Sequence, residues 1–195
     1  MPKPKLSPWQ AHVQRWIACK ECGLCEHRKQ VVLARGKLPC EVLFIGEAPG
    51  ASENSIGRPF CGPAGKMLDA MIERAIANTE VVDPKLAFTN VVACIPLGED
   101  GTKTSDPPKE SILACQPRLI ELIQLAKPVH VVLVGKIAHT WGVQALAKSG
   151  LPNTTPMTTI THPAAIMRAE VYIQDLEIQK CIIALTDVFQ SLVPF

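Results

Sequence analysis

No stretch of this chain is long and apolar enough to span a bilayer; the longest apolar runs, such as "VHVVLVG" at residues 129–135, are about a third of the required length. The opening "MPKPKLSPW" lacks the hydrophobic centre of a secretory signal, so a cytoplasmic location is expected. Charge of one sign is not in excess either. The net charge is +2 and the pI is near 8.1. That balance permits nucleic-acid binding without arguing for it, so any basic surface must be local. Internal repeats and low-complexity segments are absent. What remains is 195 residues, 47% hydrophobic, with 17 prolines and 12 glycines. This describes one domain rich in loops.

Cysteine is the residue in surplus. Eight in a chain of this size are not a disulfide framework in a reducing compartment; clustered ones read as metal ligands. Cys19, Cys22 and Cys25 form C-x2-C-x2-C, part of a ferredoxin-like run, but Lys29 stands where a fourth cysteine would complete it. Two arrangements fit. One is a local zinc site of the three cysteines with His27. The other joins Cys19 and Cys22 to Cys94 and Cys115, tying the N-terminal segment to the core. The spacing does not choose zinc over iron–sulfur. Cys40, Cys61 and Cys181 stand alone and read as small buried thiols.

Hydrophobic periodicity divides the chain into alternating strands and helices. Helices are expected at 8–18, 63–77, 109–127, 136–148 and 172–193, with a kink at Pro117. Strands are expected at 41–46, 87–92, 128–135 and within 154–162, and a polar loop at 98–108. The run at 128–135 is continuously apolar, as a strand covered on both faces should be. Alternation of this kind makes an α/β fold with a mostly parallel sheet. Ligands bind such sheets beyond the carboxyl ends of the strands.

Those ends carry the chemistry. The first strand runs into "GEAPG", with Glu47 on a turn stiffened by Pro49 and opened by Gly46 and Gly50. The second carries Asn90, the third ends at Gly135 before a helix, and the fourth ends at "THPAA" with His162. Singly, these residues read as a helix cap, a turn residue and a polar group before proline. Together they set an acid, an amide and an imidazole on one rim. Backbone N–H groups at the helix start by Lys136 and in the loop after His162 suit phosphate, with Arg58, Lys66 and Arg168 as helpers.

The chain resembles the iron–sulfur uracil-DNA glycosylases, often called family 4. The resemblance rests on "CKECGL" with Arg28 downstream, "GEAPGASENSIGRPFCGPAGKMLD", "TNVVACIPLG", "ACQPRL", "PVHVVLVGKIA" and "THPAAIMR". It implies a three-layer αβα sandwich around a central four-stranded parallel sheet, one domain over residues 1–195 with an N-terminal cluster-binding segment. It implies a [4Fe–4S] cluster on Cys19, Cys22, Cys94 and Cys115, with Cys25 outside the ligand set. Glu47 would activate water and face the sugar, and His162 would donate to O2 of the leaving base. Phe60 would stack on a flipped base beside Gly46, Asn90 would read its edge, and Glu53 would stand near C5 and exclude a methyl group. Asn54, Cys61 and a lengthened loop between Cys94 and Cys115 depart from the family pattern near the pocket or cluster loop.

The implied activity is that of a monomeric, monofunctional glycosylase acting on uracil in single- or double-stranded DNA. An alternative keeps the chemistry and changes the base to a bulky modified pyrimidine, such as hydroxymethylated or glycosylated cytosine of phage DNA. The Asn90 amide offers a donor and an acceptor side by side, so turning it over exchanges uracil for cytosine. A non-enzymatic iron–sulfur DNA-binding module is disfavoured by the intact Glu47, Asn90 and His162.

Overall fold

The computed structural model describes residues 5–98, 101–102 and 104–193. Residues 99, 100 and 103 of the polar loop and the first four residues of the N-terminal segment lie outside the described residues. The strands are β1 (Arg35–Gly36), β2 (Val42–Gly46), β3 (Leu86–Asn90), β4 (His130–Val134) and β5 (Met157–Ile160). The helices are α1 (Pro8–Trp16), α2 (Ala51–Ile56), α3 (Pro63–Ala77), α4 (Lys109–Ala126), α5 (Lys136–Lys148), α6 (Pro163–Arg168) and α7 (Val171–Gln190).

The sheet order is β1-β3-β2-β4-β5. The four strands anticipated from sequence pair in parallel, with β2 at the centre. The expected count of four needs a correction: β1 adds a two-residue antiparallel edge to β3. Gly36 makes this pairing possible. Its φ is +102°, and a Cβ there would overlap the Leu86 carbonyl. Two residues carry no alternation for a sequence pattern to detect.

Period-two alternation along the buried strands builds two cores. Phe44, Phe88, Val132 and Ile160 pack with α3, α6 and α7 through Leu68, Ile166 and Phe189. Leu43, Ile45, Val131 and Leu133 pack with α4 and α5 through Leu119, Ile123 and Ala145. Truncating a fully buried ring such as Phe44 to alanine costs about 3–5 kcal/mol. The result is helix, sheet, helix. Pro117 lies inside α4, which continues unbroken past the expected kink. The carbonyl that proline leaves without a helical partner belongs to Leu113, a residue exposed to solvent.

A third, smaller core seats the N-terminal segment. Trp9, Val13 and Trp16 of α1 pack with Val31, Leu33, Ala93 and Cys94. Ser7 and Gln10 form a reciprocal capping box at the start of α1. Trp16 Nε1 donates to Glu121 of α4 at 2.9 Å. Among the described residues, no helix is long and apolar enough to cross a membrane.

Candidate active site and cysteine cavity

The carboxyl ends of the parallel strands share one edge, because register aligns them: Gly46 pairs with Asn90 and Val134 with Ile160. Beyond that edge lies a cleft of about 580 Å³ whose walls include Glu47, Asp106, Lys136, His162 and Arg168. The acid and the imidazole anticipated at separate strand ends therefore face the same space. Lys136 opens α5 on the cleft and Arg168 closes α6 on it. Arg58 and Lys66 are exposed but lie off the cleft walls.

Burial raises the Glu47 pKa above the ordinary carboxylate range. The negative charge of Asp106 adds to this and Arg168 opposes it. Burial lowers the His162 pKa; Arg168 acts in the same direction and Glu53 against it. His162 also caps α6, its Nδ1 accepting from the Ala164 N–H at 3.1 Å. A nitrogen that accepts carries no proton, so the neutral ring holds its proton on Nε2. The imidazole is thereby set as a neutral donor.

Phe60 and Asn90 are buried at the end of β2, at 7% and 3% exposure, and neither lines the cleft wall. Both crowd Gly46: a Cβ there would collide with Asn90 Oδ1 and the Phe60 ring. Only glycine lets the amide and the ring approach the end of β2 so closely. Phe60 occupies the left-handed region with φ 51°, uncommon for a non-glycine residue. Its ring tilts against Phe88 at 6.0 Å.

Glu53, anticipated beside C5 of the base, is committed to the main chain. Its Oε2 accepts from Gly50 N–H at 3.1 Å. Its Oε1 accepts from Cys61 N–H at 2.9 Å and Gly62 N–H at 2.7 Å. Asn54 is likewise not a free pocket wall: its Oδ1 accepts from Lys29 N–H at 2.8 Å, tying α2 to the N-terminal segment.

Two residues escaped the sequence reading. Asp106 belongs to the polar loop, and a bridge between Leu97 and Thr104 folds that loop back, so that Thr104, Ser105 and Asp106 join the cleft. Arg118 is a fully buried arginine on α4. It donates to Thr89 Oγ1 at 2.9 Å and to the Asn90 and Val91 carbonyls. It thus pins the end of β3 that carries Asn90.

Cys19, Cys22, Cys94 and Cys115 line one partly open cavity together with Trp16, Arg28 and Arg118. Cys25 and His27 are not among its walls; His27 lines a separate surface depression with Leu97 and Pro108. The local three-cysteine zinc site with His27 therefore has no support in the geometry. Burial pushes the Cys94 thiol up to about 11, while the Arg28 guanidinium pulls it down. Arg28 donates to Cys94 Sγ at 3.3 Å and to the Cys19 carbonyl. Four sulfurs and a compensating cation suit a group held by thiolates. Among the described residues, no three Cys, His, Asp or Glu side chains are close enough to form a metal-binding set, so the sulfurs share the cavity without converging.

Residues 34–186 match the Uracil DNA glycosylase superfamily. A type-4 uracil-DNA glycosylase of Sulfurisphaera tokodaii is 37% identical over 120 residues, 62% of this chain and 51% of the relative. One from Pyrobaculum aerophilum is 37% identical over 120 residues, 62% and 57% of the two chains. One from Thermotoga maritima is 32% identical over 130 residues, 67% and 63%. The matched region spans between about a half and two thirds of the length of these curated relatives. With its αβα architecture and its strand-end acid, amide and imidazole, the chain belongs to the uracil-DNA glycosylase superfamily.

Proposed function

We propose that this protein is a monofunctional DNA glycosylase that hydrolyses the N-glycosidic bond of a flipped-out pyrimidine, uracil above all, and leaves an abasic site. The observation that carries this reading is that Glu47 and a neutral His162 line the same cleft. Reaching C1′ of a stacked nucleotide requires the base to leave the helix, at a cost of a few kcal/mol. The resemblance assigns the stacking face to Phe60, a contact worth roughly 1–3 kcal/mol, and its ring, buried off the cleft wall, would have to be reached by the base. As the glycosidic bond breaks, the sugar gains positive and the base negative charge. The Glu47 carboxylate stabilises the sugar cation and orients water towards C1′. His162 Nε2–H donates to the developing anion on O2 of the base. His162 is oriented by the Ala164 N–H before the substrate arrives, the condition under which such a partner contributes most. Lys136, Arg168 and the N–H groups at the start of α5 hold the phosphates.

Cys19, Cys22, Cys94 and Cys115 would hold a [4Fe–4S] cluster, which supplies a cross-link between the N-terminal segment and α4 and enters no step of the hydrolysis. In this reading the enzyme is a cytoplasmic monomer acting on DNA in base excision repair. One observation favours a second base. The walls formed by Thr104, Ser105 and Asp106 offer hydroxyls and a carboxylate, groups suited to the hydroxyls of a hydroxymethylated or glycosylated cytosine in phage DNA. The test is incubation with oligonucleotides carrying uracil, thymine or cytosine, and with modified phage DNA, followed by cleavage of abasic sites. Uracil strands are expected to break while thymine and cytosine strands stay intact. Intact uracil strands beside cleaved phage DNA would replace repair with defence.

A further inference from the structure

Glu53 lies off the cleft wall and its two carboxylate oxygens meet three main-chain N–H groups from two turns. One turn is Gly46–Gly50, which presents Glu47. The other is Phe60–Gly62, which presents the aromatic ring. The spacing G-x2-E-x8-G makes room for it. A Cβ on Gly50 would stand 2.9 Å from Glu53 Oε2, and one on Gly62 would stand 3.1 Å from Oε1. A side chain at either anchor would crowd the carboxylate, so that Glu53 would have to shift at Gly50 and give by a few tenths of an ångström at Gly62. Phe60 adds a second demand. Its left-handed backbone is held only where the surroundings over-determine it. Glu53 bonds the two N–H groups that follow it, and Gly65 admits the Phe60 carbonyl where any Cβ would overlap it.

We infer that Glu53 is a positioning residue: a carboxylate clamp that sets the Phe60 ring and the Glu47 turn at a fixed separation. The inference rests on the glycosylase reading for its consequence, not for its geometry. It differs from a carboxylate that reads C5 of the base, because both oxygens are already engaged by the backbone. Glutamine makes the distinction sharp. Its single oxygen accepts from Cys61 and Gly62, and its NH2 group then faces the Gly50 N–H, donor against donor.

The experiment uses the full-length protein and the variants Glu53→Gln and Glu53→Ala. Amide hydrogen exchange reads the clamp without any substrate. Glu53→Gln is expected to lose protection selectively at Gly50, and Glu53→Ala at Gly50, Cys61 and Gly62 together. Single-turnover excision from a uracil oligonucleotide reads the consequence. A misplacement of the reacting groups by about 1 Å costs roughly 10²-fold in the chemical step, so the rate constant of the folded fraction falls while DNA affinity and reaction amplitude hold. Thymine oligonucleotides stay intact with every variant. Wild-type protection at all three amides overturns the clamp, as does a variant that gains thymine excision at an unchanged uracil rate. Inactivity of the wild-type protein on uracil would sink the uracil reading while leaving the exchange result to decide the clamp.

Discussion

The Glu47–Gly62 turn and the cysteine cavity are closed in opposite ways. The turn is a local stretch whose polar groups answer one another: one carboxylate collects three N–H groups within nine residues. The cavity draws its sulfurs from positions 19, 22, 94 and 115, and Arg28 is the side chain seen bonding to both the N-terminal segment and the β3 side. The turn is organised by its own hydrogen bonds. The cavity is lined by four thiols that do not converge, and burial raises the pKa of one of them, Cys94, while Arg28 opposes this. The turns that present Glu47 and Phe60 are tied by near neighbours in sequence, whereas the four cysteines come from segments far apart.

The largest effect that would separate the two regions is loss of the cysteine cross-link. Cys94→Ala or Cys115→Ala is expected to abolish iron and sulfide binding and to yield little folded protein, read by anaerobic metal analysis and circular dichroism. About four iron and four sulfide per chain is the expected wild-type content; stoichiometric zinc without iron would refute the cluster. Next comes Arg118→Leu, which strips the hydrogen bonds from Thr89, Asn90 and Val91. Orphaning such buried acceptors costs about 1–3 kcal/mol each, so the midpoint of urea unfolding should drop markedly. An unchanged midpoint would show that β3 holds Asn90 without it.

The pH response of the cleft is a smaller effect with a definite sign. Glu47 has its pKa raised by burial and then by Asp106, and the carboxylate is the working form. Activity therefore falls as pH drops through that raised pKa, and in Asp106→Asn this acid limb moves to lower pH. Stability runs the other way. The folded protein binds the Glu47 proton more tightly than the unfolded chain, so stability is lost as pH rises through the folded pKa. Glu47→Gln should be more stable than wild type near pH 7, with the gain gone below about pH 4, where both states are protonated. An equal melting temperature at both pH values would contradict the burial cost. The smallest effect is expected of Cys25→Ala, which should keep cluster and fold; bleaching would redraw the ligand set.

Much of this was legible beforehand where pattern and punctuation coincide. The helices α3 and α5 begin and end as expected, since Pro63 and Gly135 mark starts that amphipathic runs continue. The strand-end positions of Glu47, Asn90 and His162 followed from parallel topology; Glu47 and His162 line one cleft, while Asn90 is buried off its wall. Short elements escaped: α2 has six residues without a clear apolar stripe, and β1 has two. Arg118 escaped because a charged residue on a helix reads as solvent-facing until its buried acceptors are seen. Asp106 escaped because the Leu97–Thr104 bridge, not local sequence, decides where its loop goes. Glu53 and Asn54 look like pocket residues by position, yet their oxygens are taken by backbone N–H groups.

The most direct measurement is single-turnover release of uracil from a single-stranded oligonucleotide by wild type, Glu47→Ala and His162→Ala, with DNA binding measured alongside. Deleting one preorganised electrostatic partner costs about 10²–10³-fold in rate. The carboxylate–imidazole mechanism predicts that both variants fold, bind DNA as wild type does, and release uracil slower by that factor. Wild-type rates in both would remove the pair from the chemistry.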